Sequence, residues 1–250
     1  MIKKILPLFV LLFTFTLANA QFKVKDLANK AKKEVNKIKD GGNPLSQDEI
    51  GKGLKEALNN GVGEAVDFLS KEGGYKNSIY KITMPPEAQK VTKKLKNVPG
   101  FNNVEANLIA KMNEAAEIAA KKAKPIFVNA IKQMSFKDAM NILMGEDNAA
   151  TAYLKSTTYK SLYAEFMPVI QSALDEVNAR EYWRGAVKAY NKIPFVDKAN
   201  PELDDHVNRS ALDGMFKLIQ KKEEGIRNDV GMRNTDLLKK VFAKQDKKND

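Results

Sequence analysis

Between Ser135 and Tyr163 the chain reads SFKDAMNILMGEDNAATAYLKSTTYKSLY, and no other stretch dictates its local structure so closely. Ser135 followed three residues later by Asp138 is a variant capping box, in which the acidic side chain reaches back to the exposed amides of the first helical turn. Phe136, Met140 and Leu143, with Ala139 and Met144 beside them, recur at helical spacing, and Gly145 supplies the left-handed residue on which helices commonly end. Asp147 then stands before Asn148, Ala149 and Ala150 as the expected cap of a second helix carrying Tyr153 and Leu154. The hydroxyl run Ser156, Thr157, Thr158 predicts the opening of a third, because such side chains compete for backbone donors and favour entry turns. A chain punctuated in this way folds as helices joined by tight corners.

The same grammar runs through the rest. Ser46 to Glu49 is a full capping box, and behind it Ile50, Leu54, Leu58, Val62 and Val66 step by four. Gly53, Ala57, Gly61 and Ala65 form a second stripe of small residues, which predicts close approach by another element, while Asn60-Gly61 could split the helix. Gly73-Gly74 ends it. Ile79 to Ile82 reads as an extended connector, Pro86 as the first residue of a helix to about Val98, and Val104 to Ala123 as a long alanine-rich helix that kinks or restarts at Lys124, before Pro125. Pro168 falls inside another helical pattern and repeats that interruption. Helices are further expected over Tyr182–Tyr190, from Pro201 behind an Asn200 cap to Glu223 or beyond, and over Leu237–Phe242 behind Thr235-Asp236. The fold class these signals define is all-α: a multi-helix, bundle-like domain with kinked helices and no substantial sheet, spanning 45–242, with a disordered tail over 243–250.

The first twenty residues read as a signal peptide. Lys3 and Lys4 precede an apolar run from Ile5 to Leu17, and Ala18-Asn19-Ala20 is a small-residue cleavage site, so the mature chain is expected to begin at Gln21 and to be periplasmic or secreted. No later stretch approaches the roughly 18 apolar residues of a spanning helix, so no transmembrane segment is expected in the mature chain. Residues 21–44 read as a basic amphipathic arm and linker. Val24, Leu27, Ala31, Val35 and Ile38 share one face among many lysines, a pattern suited to weak peripheral contact with an anionic membrane through residues 21–40.

Cysteine is absent, which removes disulfides, thiolate catalysis and Cys-ligated zinc. The formal charge is +11, carried almost wholly by lysine; the five arginines, Arg180, Arg184, Arg209, Arg227 and Arg233, are confined to the last third. Such a balance often marks a nucleic-acid binder, but an exported chain meets little nucleic acid, and the lysines are interleaved with acids. The expected partner is an envelope protein, a small ligand or an anionic surface.

The segments KPIFVNAIKQMSFKDAMNILMGEDNAATAYLKSTT, YNKIPFV, ALDGMFKLI and RNTDLLKKVF together resemble the exported bacterial proteins grouped as domain of unknown function 4197, over about Leu45 to Phe242. The resemblance implies an exported, envelope-resident protein and assigns no activity to any residue. Some members carry a lipoprotein cysteine after the signal, which this sequence lacks.

Candidate chemistry is sparse. His206 is the only histidine, and on a continuous helix only Glu202 lies four residues from it, so no metal or other cofactor is expected. No G-x-S-x-G, Walker A or dinucleotide fingerprint occurs, and no catalytic residue is nominated. The reading is therefore a non-enzymatic binding module, the alternatives being a hydrolase with an unrecognised site or a peripheral membrane binder. The ligand site nominated is the corner before the Ser156 run, where free helix amides would face an anion beside Lys155, Thr158 and Lys160, with Tyr153 and Tyr159 supplying flat apolar contact. The arginines are read as internal ion pairs or as receptors for an acidic ligand.

Overall fold

The computed structural model describes residues 46–96, 102–176, 178–199 and 202–243. The signal peptide, the basic arm and the tail beyond 243 lie outside them. Among the described residues the secondary structure is entirely helical: α1 (Gln47–Leu69), α2 (Pro86–Leu95), α3 (Val104–Ala120), α4 (Ala123–Gln133), α5 (Phe136–Leu143), α6 (Ala149–Glu176), α7 (Ala179–Asn191), α8 (Asp204–Asn228), a 3-10 turn (Val230–Met232) and α9 (Asp236–Phe242). None is long and apolar enough to cross a membrane.

Both capping boxes form. Ser46 Oγ accepts the Glu49 amide while the Glu49 carboxylate accepts the Ser46 amide, and Ser135 and Asp138 do the same at α5. These bonds hold Asp138 and Glu49 below the usual carboxylate range: Asp138 through the Ser135 hydroxyl and then its amide, Glu49 through the Ser46 amide and then its hydroxyl. Helix α1 runs unbroken through Asn60-Gly61, because its small-residue stripe is where other helices sit. A Cβ on Gly53 would lie 2.7 Å from Val241 of α9, and one on Gly61 would lie 3.7 Å from Lys222 of α8.

Helices α6 and α8 are the central pair, with α3 and α4 packed on α6 and with α1 on α8 carrying α4, α5 and α9; α2 and α7 pack on each other at the far side. Phe127 of α4 meets Phe216 of α8 edge to face at 5.8 Å, and Trp183 of α7 is 1 % exposed.

Three boundaries differ from the sequence reading. Helix α6 is a single helix from Ala149 to Glu176: Ser156, Thr157 and Thr158 lie inside it, and their hydroxyls donate back to the carbonyls of Tyr153 and Leu154. Back-bonding of this kind lets hydroxyl residues occupy a helix interior, so the run opens no third helix. Pro168 likewise sits inside α6 without ending it, whereas Pro125 occupies the first turn of α4, which restarts at Ala123. The expected Asn200 cap and Pro201 lie outside the described residues; among those described α8 begins at Asp204, which leaves Glu202 outside the helix and its four-residue spacing to His206 without meaning.

Candidate binding face

Asp147 accepts no hydrogen bond among the described residues; the first turn of α6 is capped from another helix. The Glu223 carboxylate of α8 accepts the amides of Ala150 and Thr151, both at 2.8 Å, and the Thr151 hydroxyl, while Arg227 one turn on donates to it at 2.9 Å. Arg227 also donates to the Ile142 carbonyl at the end of α5. One buried ion pair thus closes the corner that the sequence shows as Gly145 to Ala150. Proximity across 72 or 73 residues cannot be read from local patterns, whereas Asp147 stands next to the helix start in sequence.

A second buried acid works in the same way. Glu117 of α3 accepts the amides of Gly73, Tyr75 and Lys76, each at 3.1 Å, and Asn113 one turn earlier exchanges two bonds with the Ile82 backbone. The Tyr75 hydroxyl, its ionisation pushed up by burial, donates to Ala211 of α8, and His206 Nε2 donates to the Thr83 carbonyl. These side chains fasten the irregular segment 70–85 to α3 and α8. His206 therefore serves as a backbone tether, and no group of three potential metal ligands occurs among the described residues.

The arginines are spent internally. Arg180 pairs with Asp175 and Asp204, Arg184 with Glu202, Arg209 with Asp205 and Arg227 with Glu223; Arg233, 1 % exposed, donates to the carbonyls of Ile226 and Arg227 at the end of α8.

The nominated corner residues come together only in part. Tyr159 stacks on Phe216 and Tyr163, and Lys155 lies 5.8 Å above the Tyr159 ring and 3.8 Å from Asp213. Thr158 is buried with its hydroxyl committed to Leu154, Lys160 is exposed, and Tyr153 is half-buried. The amides of the Ser156 run are inside α6, so that run presents no helix N-terminus.

A different surface combines open volume with uncommitted charge. A cleft of about 590 Å³ runs between the segment 76–81, the end of α2 and the start of α3. Four exposed lysines line it: Lys76, Lys81, Lys93 and Lys96. Among the described lining residues Glu105 is the one acid, and it accepts the Thr92 hydroxyl at 3.2 Å. Among the described residues no carboxylate lies within ion-pair distance of any of the four lysines, in contrast to the arginines. Ala106, Ile109 and Ala110 give the cleft an apolar floor. Clustered like charges with low-dielectric backing raise the local positive potential and favour an anion. Sequence reasoning missed this site because its lysines come from three separate segments and look, one by one, like an ordinary solvated surface.

What fold and site define is an all-α domain of scaffolded corners with a cation-lined cleft, two of its buried acids, Glu117 and Glu223, spent on backbone amides. The family model described as Protein of unknown function (DUF4197) matches residues 44–243, and the chain belongs to that family. No curated protein and no solved structure matches it.

Proposed function

We propose that this chain is an exported, non-enzymatic binding module whose working surface is the lysine-lined face around α2, and that its partner is anionic. The observation carrying this reading is the contrast in how charge is used. Glu117, Glu223 and the arginines hold backbone and helix ends together, while four lysines converge on an open cleft with no ion-pair partner among the described residues. An unpaired cation cluster of this kind gives salt-dependent association, since exposed charges are screened over about 8 Å at physiological ionic strength. Export rests on the leader of residues 1–20; N-terminal sequencing of the protein recovered from the envelope fraction should begin at Gln21.

Binding of the full mature chain to dextran sulfate, followed across a salt series, tests the surface. Replacing Lys76, Lys81, Lys93 and Lys96 by Gln should weaken binding at least tenfold. A charge-matched variant carrying Gln at Lys121, Lys137, Lys155 and Lys160 should bind like wild type. Equal losses in the two variants would mean that net charge alone is at work, and a loss confined to the second would return the site to the Lys155 corner.

A further inference from the structure

Two large apolar side chains stand far out of this domain, and each is held there by a built clasp. Phe195 is fully exposed, at 107 %, and Ile79 is 84 % exposed; no other described large hydrophobic residue comes near these values. Phe195 also adopts φ 61°, a left-handed conformation that an aromatic residue rarely takes. Among the described residues nothing uses its ring, so the strained backbone gains no burial there.

The loop that carries Phe195 is closed at its base by one side chain. Asn191 donates to the Ala199 carbonyl at 3.2 Å and accepts the Ala199 amide at 2.9 Å, and Lys198 Nζ donates to the Asn191 carbonyl. Ile193 donates to the Tyr190 carbonyl at 2.9 Å, which fixes the exit from α7. Ile79 is presented in the same manner. Glu117 holds the amides before it, Asn113 holds Ile82 after it, and the Ser78 hydroxyl bridges Tyr75 and Tyr80 across it. A side chain exposed by a fastened loop loses little conformational entropy when it enters an apolar phase.

The segments that carry the two tips both meet α2. The Ile79 segment runs directly into it at Pro85, and the Phe195 loop touches it through Lys90 and Asp197 at 3.9 Å. Along the chain, Lys76 and Lys81 stand on either side of Ile79, and Lys192 and Lys198, with Asp197 among them, on either side of Phe195. Fixed apolar tips set among cations match one environment in their chemistry, the interface of an anionic bilayer, where the rings and aliphatic chains enter the acyl boundary and the ammonium groups remain with the headgroups.

We infer that Phe195 and Ile79 are membrane-interface anchors and that the anionic partner of the α2 face is an anionic phospholipid surface. This rests on the lysine face proposed above and names its partner. The test is flotation of the full mature chain with vesicles of phosphatidylcholine containing 30 mol % phosphatidylglycerol, set against pure phosphatidylcholine and against competition by inorganic phosphate. Wild type should float with the anionic vesicles alone, undisplaced by millimolar phosphate, and the double variant I79S/F195S should bind them at least about tenfold more weakly, as expected for withdrawing two buried apolar side chains. Dextran sulfate binding by the double variant should stay at the wild-type level, which separates failure of the anchors from failure of the lysine face. A single variant, Phe195→Trp, should shift its emission to the blue on the anionic vesicles. Wild-type and double-variant chains floating equally would overturn the inference, as would no flotation of wild type, or a concentration-dependent dimer that the double variant abolishes.

Discussion

Glu223 is the residue on which the α5–α6 corner depends most. Its carboxylate serves two α6 amides, a threonine hydroxyl and Arg227, all buried. Removing one member of a buried pair leaves the other charge unpaired, so Glu223→Ala should lower unfolding free energy by about 3–5 kcal/mol in a denaturant titration. Asp147→Ala, at the residue the sequence suggests as the cap, should change it by less than about 0.5 kcal/mol. The opposite ranking would mean that the corner is capped locally after all. Acid stability belongs to the same scale. Asp138 and Glu49 are held low by their capping serines, and Asp205 is held low by the Arg209 guanidinium and then by the Tyr163 hydroxyl. A carboxylate whose folded value lies below its unfolded one, about 4, contributes fully above that pH and loses its contribution as pH falls through the folded value. Melting temperature should therefore hold level down to about pH 5 and fall below about pH 4, with a shallower fall in Asp138→Asn.

At the scale of the element, local chemistry was legible and cross-chain chemistry was not. The capping boxes at Ser46 and Ser135, the Thr235 cap and the small-residue stripe of α1 all follow from residues within a turn or two of one another. The hydroxyl run at Ser156 misled because the same side chains that favour entry turns can bond back to Tyr153 and Leu154 once neighbouring helices hold the backbone helical. Glycine positions separate the two kinds of constraint. Gly51 sits in α1 with open space where a Cβ would go, so Gly51→Ala should stabilise by about 0.5–1 kcal/mol. At Gly74 a Cβ would lie 2.4 Å from the Phe68 carbonyl oxygen, so Gly74→Ala should cost upwards of about 2 kcal/mol. Thermal melts of the pair decide whether backbone contact or helix propensity governs each site. Between α6, α7 and α8, two buried donors, Arg180 Nε and Trp183 Nε1, and two buried acceptors, Asp204 Oδ1 and Asn208 Oδ1, have no protein partner. They lie one helical turn apart on α7 and on α8, and Arg180 bridges the two helices to Asp204.

For the whole molecule, the helical signals in the sequence were enough to define an all-α chain, because helical periodicity and the two capping boxes point the same way. The family assignment over 44–243 accords with the motifs that run along the chain. The lysine-lined cleft was not legible. Lys76 and Lys81 approach Lys93 and Lys96 only because Glu117 and Asn113 fasten the connector to α3 beside the start of the cleft, and that tether joins residues about thirty to forty-four apart. A surface assembled in this way exists only in the folded domain, so its variants should lose binding while keeping their melting temperature.

The most direct measurement is lysine footprinting of the full mature chain by brief acetylation and mass spectrometry, with and without vesicles containing 30 mol % phosphatidylglycerol. The account predicts several-fold protection of Lys76, Lys81, Lys93 and Lys96, with Lys121, Lys137, Lys155 and Lys160 labelled as in the free protein. Protection centred on Lys155 and Lys160, or spread evenly over both sets, would contradict it.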